Sequence, residues 1–261
     1  MSGVVESLLE IVVEPMLEVI ADMFMDLRKN PSNRPAGLVK PPADQGEAYA
    51  IQRAVMARLG AIGGWKVGFS PATGVFTCAP LPARFVAPSP ARAPQDECPD
   101  RAVEAEIAVT IGADLPPRGT PYTRDEVIAA IASAHPAIEL LQSRYADVDK
   151  VDALTALADS LSHYGLVVGA AIPEWRTIDL ASEGVRVMVD GVEVKRCVGN
   201  PAGEMIRLVE WMANEGARWA GGLKAGQVVT TGSWTAKDVV PANAHVQMVF
   251  DHCGTVEAQY S

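Results

Sequence analysis

The chain has 261 residues, with 22 Lys and Arg against 32 Asp and Glu for a net charge of −10, 49% hydrophobic residues and only 6% aromatic ones. That length builds one large domain or two small ones around a substantial core. An acidic balance without a dense basic block excludes binding through a phosphate backbone, which rests on cationic side chains releasing counterions. No run reaches the roughly 18 uncharged apolar residues of a membrane-spanning helix.

Residues 4–27 place Val5, Leu8, Leu9, Val12, Met16, Val19, Ile20, Met23, Phe24 and Leu27 on one side of a helix. Glu6, Glu10, Glu14, Glu18, Asp22 and Asp26 recur every fourth residue on the other. This pattern predicts an amphipathic helix. Like charges four apart weaken an isolated helix and Pro15 interrupts it, so the segment needs a packing partner, either this subunit's body or a neighbour. The acids, with no basic stretch before them, argue against a signal peptide. Cys78, Cys98, Cys197 and Cys253 lie far apart with no C-x-x-C pair, which argues against a zinc site or a disulfide framework. Reduced thiols fit a cytoplasmic protein.

Residues 30–46 are Pro-rich and read as an irregular connection, so the expected organisation is 1–45 for helix and connection and 46–261 for the main domain. A helix is expected over 46–59 and a short strand over 63–69. Residues 79–100, rich in Pro and Ala, read as a surface loop. Over 102–111 the chain alternates, with Val103, Ala105, Ile107, Val109 and Ile111 on one face and Glu104, Glu106, Ala108 and Thr110 on the other. Thr123 caps a helix predicted to run to residue 134. An apolar strand over 136–141 follows, carrying the lone charge Glu139. Further on, 152–164 and 205–219 read as helices. Strands are expected over 166–171, 185–189, 192–197, 228–233, 244–250 and 254–259, with a hairpin around Asp190-Gly191. Strands dominate the last two thirds without regular βαβ alternation, which predicts an α+β domain on a curved or closed mixed sheet.

Glu104 and Glu106, two apart on a strand, share a face about 7 Å apart. On a solvated sheet surface such a pair means nothing; facing a cavity it calls for a divalent cation, and an all-oxygen set suits Mg²⁺ or Mn²⁺ over zinc. Glu139 favours the second reading, because a carboxylate in an apolar strand stays charged only when it is paired or bound to metal. Three carboxylates leave about half of an octahedral shell open, and an α-keto acid fills two positions. Lys66, the only charge in residues 63–70, either snorkels to the surface or sits in a site. His135, His163, His245 and His252 are scattered, and the chain has no H-E-x-x-H, G-x-S-x-G or P-loop pattern.

Gly64-Trp65-Lys66-Val67-Gly68, Val103-Glu104-Ala105-Glu106-Ile107-Ala108, Pro136-Ala137-Ile138-Glu139, Ser143-Arg144, Asn200-Pro201-Ala202 and Thr231-Gly232-Ser233 follow in this order. From about residue 45 to the C-terminus they resemble the 2-keto-4-pentenoate hydratase and 4-oxalocrotonate decarboxylase branch of the fumarylacetoacetate hydrolase superfamily. The resemblance implies a β-rich, barrel-like roll with peripheral helices and a homodimer or higher homo-oligomer. It implies Mg²⁺ or Mn²⁺ on Glu104, Glu106 and Glu139, with Lys66 near the substrate and Ser162 and Ser233 at its carboxylate end. The implied chemistry is a lyase reaction on a small 2-oxo acid through a metal-chelated enolate: hydration foremost, with decarboxylation or acylpyruvate C–C hydrolysis as rivals. A structural subunit without activity is the alternative of a different class.

The chain departs from the hydratase pattern at Gln142, where an Asp before Ser-Arg is usual, and in two further places. The acid that usually pairs with the lysine is absent from Ser70-Pro71-Ala72-Thr73-Gly74-Val75, and the usual Asp-Asn-Ala-Ser-Ser is here Asp159-Ser160-Leu161-Ser162-His163. His163, whose side chain titrates in the right range, is the candidate to supply the missing acid/base function. Arg144, Arg84 and Lys237 are candidates to meet a distal carboxylate.

Overall fold

A computed structural model describes the backbone of residues 2–261 and the side chains from residue 16 on. In chain order the elements are α1 (Ser2–Lys29), α2 (Gln45–Leu59), β1 (Ile62–Ser70), β2 (Val75–Pro82), β3 (Val86–Pro88), β4 (Ala91–Ala93), β5 (Ala102–Ile111), α3 (Arg124–Ala130), β6 (Ile131–Leu141), α4 (Ala153–Ala158), β7 (His163–Val168), β8 (Gly184–Val189), β9 (Val192–Val198), α5 (Met205–Trp211), β10 (Val228–Ser233), β11 (Asp238–Val239), β12 (His245–Phe250) and β13 (Thr255–Tyr260). They form an eight-stranded mixed sheet, order β2-β1-β10-β5-β6-β7-β3 with β11 added beside β5, and a five-stranded mixed sheet, order β4-β13-β12-β8-β9. The main core joins both sheets through Trp65, Ile107, Ile138, Val187, Met248 and Tyr260. The fold is the expected α+β architecture, two mixed sheets with helices at their periphery.

The N-terminal helix packs on its own subunit. Ala21, Phe24 and Leu27 are buried against Ile51 and Val55 of α2, Tyr145 and Leu157, and Phe24 meets the Tyr145 ring edge-on. Glu18 and Asp22 both pair with Arg58, which offsets the like charges along that face. The helix runs on through Pro15, contrary to the expected break. The side chains of Glu6, Glu10 and Glu14 lie outside the described residues.

Four other expectations are corrected. Residues 79–100 are not a loop: β2 forms an antiparallel hairpin with β1, while β3 and β4 pair with β7 and β13. Pro80 and Pro82 are tolerated because β2 is an edge strand, where a missing N–H leaves no ladder bond unmade. The helix after Thr123 has a full capping box with Glu126 but ends at Ala130, because Ile131–Ala134 extend β6 along β5. The helix expected over 152–164 stops at Ala158, where Ser160, Leu161 and Ser162 all take positive φ and turn the chain into β7. The helix expected over 205–219 is broken into α5, a wider π turn at Met212–Gly216 and a short 3₁₀ turn at Arg218–Ala220.

The 185–198 hairpin forms as expected, with Asp190 and Gly191 both at positive φ, the type I′ geometry that matches strand twist. Among the described residues no helix is long and apolar enough to cross a membrane.

Candidate active site

Two neighbouring strands, β5 and β6, bring the acids together. β5 lies between β10 and β6, and its register on β6 sets Glu104 directly opposite Glu139, with Glu106 opposite Ala137. Side chains alternate along a strand and directly opposed residues share a face, so all three carboxylates project to the same side. On the other flank, Lys66 of β1 is paired with Thr230 of β10, and Ser233 of β10 with Glu106. One carboxylate oxygen from each of Glu104, Glu106 and Glu139 lies within 4.8 Å of the others, the scale of one divalent cation's oxygen shell.

Each ligand candidate is held differently. Glu139 is wholly buried, and its Oε1 accepts from Lys66 Nζ at 2.8 Å and from His163 Nδ1 at 2.7 Å. Its Oε2 is buried with no hydrogen-bond partner. Glu106 Oε2 accepts from the Thr230 hydroxyl and, at 3.0 Å, from the Gly232 amide. Gly232 has φ +88°, and a Cβ there would come within 2.8 Å of Ala202 Cβ, so only glycine lets this amide approach the carboxylate without strain. Asn200 Nδ2 donates to the carbonyls of Thr231 and Gly232, tying the Asn200-Pro201-Ala202 loop to this turn.

The electrostatics show a shortage of positive charge. Burial, with Glu139 next, pushes the Glu104 carboxyl up to about 7. Burial, Glu139 and Glu104 push Glu106 well above the usual carboxylate range. Burial alone would raise Glu139 too, but Lys66 and the His163 hydrogen bond outweigh it and hold that carboxyl down at about 2. Burial works against the charge of Lys66, yet Glu139, Glu104 and Glu106 together keep its pKa above the ordinary lysine value. One lysine thus fully serves one of the three acids. The other two are poised to give up protons to a cation, and with Glu139, whose Oε2 is unpartnered, they make an oxygen-only donor set that fits Mg²⁺, Mn²⁺ or Ca²⁺.

Glu104 and Glu106 open onto a cleft of about 370 Å³ lined also by Lys66, Leu161 and Ser233 among others, with the wholly buried Glu139 beside them. The structure therefore brings together Lys66, the three glutamates and Ser233. Ser162 does not line this cleft; it faces a smaller neighbouring cavity of about 200 Å³ with Arg34 and Lys237. His163 does not reach the cleft either. It is fully buried behind Glu139, and burial, against the pull of the Glu139 hydrogen bond, pushes its pKa down to about 4. A neutral, enclosed imidazole is not placed to exchange protons with a substrate, which corrects the acid/base role expected for it.

The distal-carboxylate candidates are also elsewhere. Arg144 is buried and committed to Asp159 and to the carbonyls of Gln142 and His163. Arg84 lies over the Phe85 ring, and Lys237 faces Asp149 at 3.4 Å.

With this geometry in view, the sequence profile of the fumarylacetoacetate (FAA) hydrolase C-terminal region matches residues 76–260. The chain belongs to the fumarylacetoacetate hydrolase family. Within it, the chain is 32% identical over 164 residues to a 2-keto-4-pentenoate hydratase of Burkholderia vietnamiensis, covering 61% of this chain and 60% of that relative. It is 28% identical over 163 residues to a 4-oxalocrotonate decarboxylase of Pseudomonas putida, covering 60% and 59% respectively. The matched stretch thus spans about 60% of the length of these curated relatives. The crystal structure of 4-oxalocrotonate decarboxylase from Pseudomonas putida G7, complexed with magnesium and adipate, superposes with a TM-score of 0.78 at 24% identity over 95% of this chain and 98% of that one. That likeness establishes the fold. The family is one of enzymes, its hydratases and decarboxylases sharing this branch.

Sequence reasoning missed two supports of Glu106, the Thr230 hydroxyl and the Gly232 amide, and one of Lys66, the Leu161 carbonyl that accepts from Nζ at 3.5 Å. Thr230 carried a usable signal, since a threonine flanking Thr231-Gly232-Ser233 in an apolar strand must spend its hydroxyl on some partner. Leu161 carried none, because leucine at positive φ is not announced by composition.

Proposed function

We propose that this protein is a divalent-metal-dependent lyase acting on a small 2-oxo acid, with hydration of a 2-hydroxy-2,4-dienoate as its reaction. The observation that carries the reading is the cluster of Glu104, Glu106 and Glu139 beside a cleft into which Lys66 projects from the opposite flank. Glu104, Glu106 and the free Oε2 of Glu139 would hold the cation. When bound, it supplies positive charge to the carboxylate and 2-oxo oxygens of the substrate and so favours the enolate.

The chain's own residues supply the rest. Lys66, kept protonated by the surrounding acids, holds a proton at Nζ within the cleft and delivers it to C5 of the dienol while the 2-hydroxyl releases its own proton to the resulting amine, so that the enone forms and Lys66 is protonated again. Ser233, whose hydroxyl accepts from the Thr235 amide at 3.3 Å, has its own proton free to donate to the substrate carboxylate. Phe69 and Leu161 line the same cleft and limit water around the carbon skeleton. Water then adds across C3 and C4, its hydroxyl bonding to C4 and its proton going to C3, which completes hydration.

A second reading is decarboxylation of a 2-oxo diacid, and one observation favours it. Among the described residues, the cleft lining holds no aspartate to pair with Lys66 and activate water, and loss of CO₂ needs no such base. The test is turnover of 2-hydroxypenta-2,4-dienoate and of 4-oxalocrotonate by the Mg²⁺-loaded protein, following loss of ultraviolet absorbance and release of CO₂. A hydroxylated product without CO₂ supports hydration, CO₂ release moves decarboxylation to the front, and inertness toward both overturns the lyase reading.

A further inference from the structure

Glu139 has two acceptor oxygens and receives two donors, yet both donors go to the same oxygen. Lys66 Nζ lies 2.8 Å and His163 Nδ1 2.7 Å from Oε1, while Oε2 is left buried and bare. Left to itself, a buried carboxylate spreads its donors over both oxygens, because each unsatisfied lone pair carries a desolvation cost. The one-sided arrangement is imposed by where His163 stands.

His163 opens β7 opposite Leu141, on the face that Leu141 shares with Glu139. The register is irregular there, since Leu140 already pairs with Gly165. Such a bulge re-aims a side chain, and this one directs the imidazole along β6 onto Glu139. The backbone of His163 is pinned from behind: its carbonyl accepts from Arg144 Nη1 at 2.9 Å and from Arg28 Nη2 of α1 at 3.3 Å. Arg144 is itself locked by the buried Asp159, and three consecutive positive-φ residues, Ser160 to Ser162, lead into the position. A ring so enclosed has one orientation. Its Nε2 is buried without a partner, so only the Nδ1–H tautomer both serves the carboxylate and avoids burying an unpaired N–H.

We propose that His163 is a positioning residue for the cation: by donating Nδ1–H to Oε1, together with Lys66, it reserves Oε2 of Glu139 as the ligand atom. The inference rests on the metal-site reading above. Outer hydrogen-bond partners of this kind are worth about 10–100-fold in metal affinity.

The test is Mn²⁺ binding, measured calorimetrically on the full chain without substrate, in wild type, His163→Asn, His163→Gln, His163→Leu and Glu106→Gln. An asparagine amide reaches the place of Nδ1 and keeps the donor; a glutamine amide reaches the place of Nε2 and loses it, as leucine does. Expected is binding within about twofold of wild type for H163N and weakening by about tenfold for H163Q and H163L. Equal affinity in wild type, H163Q and H163L overturns the inference while leaving the metal site standing. Absence of binding in wild type, or undiminished binding in E106Q, overturns the metal site and the inference with it. Long-range ¹H–¹⁵N spectra of the unsubstituted protein give a check that no folding defect can obscure: the Nδ1–H tautomer at His163 is expected, and Nε2–H contradicts the proposal.

Discussion

Glu104 and Glu139 stand directly opposite each other across β5 and β6, two carboxylates on one face with Lys66 of β1 reaching Glu139 Oε1 at 2.8 Å. Like charges so placed on a sheet destabilise it. The arrangement is accordingly one in which function opposes stability, and its consequences are measurable.

Stability and cation binding should move with pH in opposite senses. Glu104 titrates near 7 and Glu106 well above the ordinary range in the metal-free fold, whereas in the unfolded chain both titrate near 4.3. Above that value the folded state binds protons that the unfolded state has released, so their contribution to stability falls as pH rises through the folded values. A divalent cation bound at the proposed site would take the place of those protons. The gain in Tm on adding saturating Mg²⁺ is therefore expected to be larger at pH 8 than at pH 6, and a gain independent of pH would count against coupling.

Lys66→Met leaves Glu139, which has no exposed surface, without its charge partner. Breaking a buried pair from one side costs about 3–5 kcal/mol. Urea denaturation should show a loss of that order in the metal-free protein, partly restored by Mn²⁺, and turnover should be lost.

Gly232→Ala tests the support of Glu106. The new Cβ meets Ala202 and the residue keeps φ +88°, so the amide that donates to Glu106 shifts. Mn²⁺ affinity should fall about tenfold. Adding Ala202→Gly should relieve the contact but not the backbone strain, giving partial recovery at most.

Phe24→Ala probes the N-terminal helix. Phe24 is 2% exposed and packs on Tyr145 and α2, so its loss should cost about 3–5 kcal/mol. It touches no ligand candidate, and Mn²⁺ affinity of the folded variant is expected to equal that of wild type.

Much of the site was legible because strand periodicity is simple. Glu104 and Glu106 share a face by the two-residue repeat, and Glu139 stood out as a lone charge among apolar neighbours. That Glu139 faces Glu104 was not legible, since register between strands is a tertiary property. The β2 strand was hidden by Pro80 and Pro82, whose composition speaks for a loop until the strand is known to be an edge. His163 was misread for a related reason: its titration range suggested chemistry, but Leu161 at positive φ and two buried arginines turn it away from the cleft, and no local pattern encodes that turn.

Glu104, Glu106 and Glu139 are proposed to form a cation site for a 2-oxo acid. Oxalate, a planar mimic of the enolate, tests it directly through Mn²⁺ binding with and without oxalate in wild type and Glu106→Gln. Tighter Mn²⁺ binding with oxalate in wild type alone is the expected result; no Mn²⁺ binding in wild type, or the same response in both proteins, contradicts it.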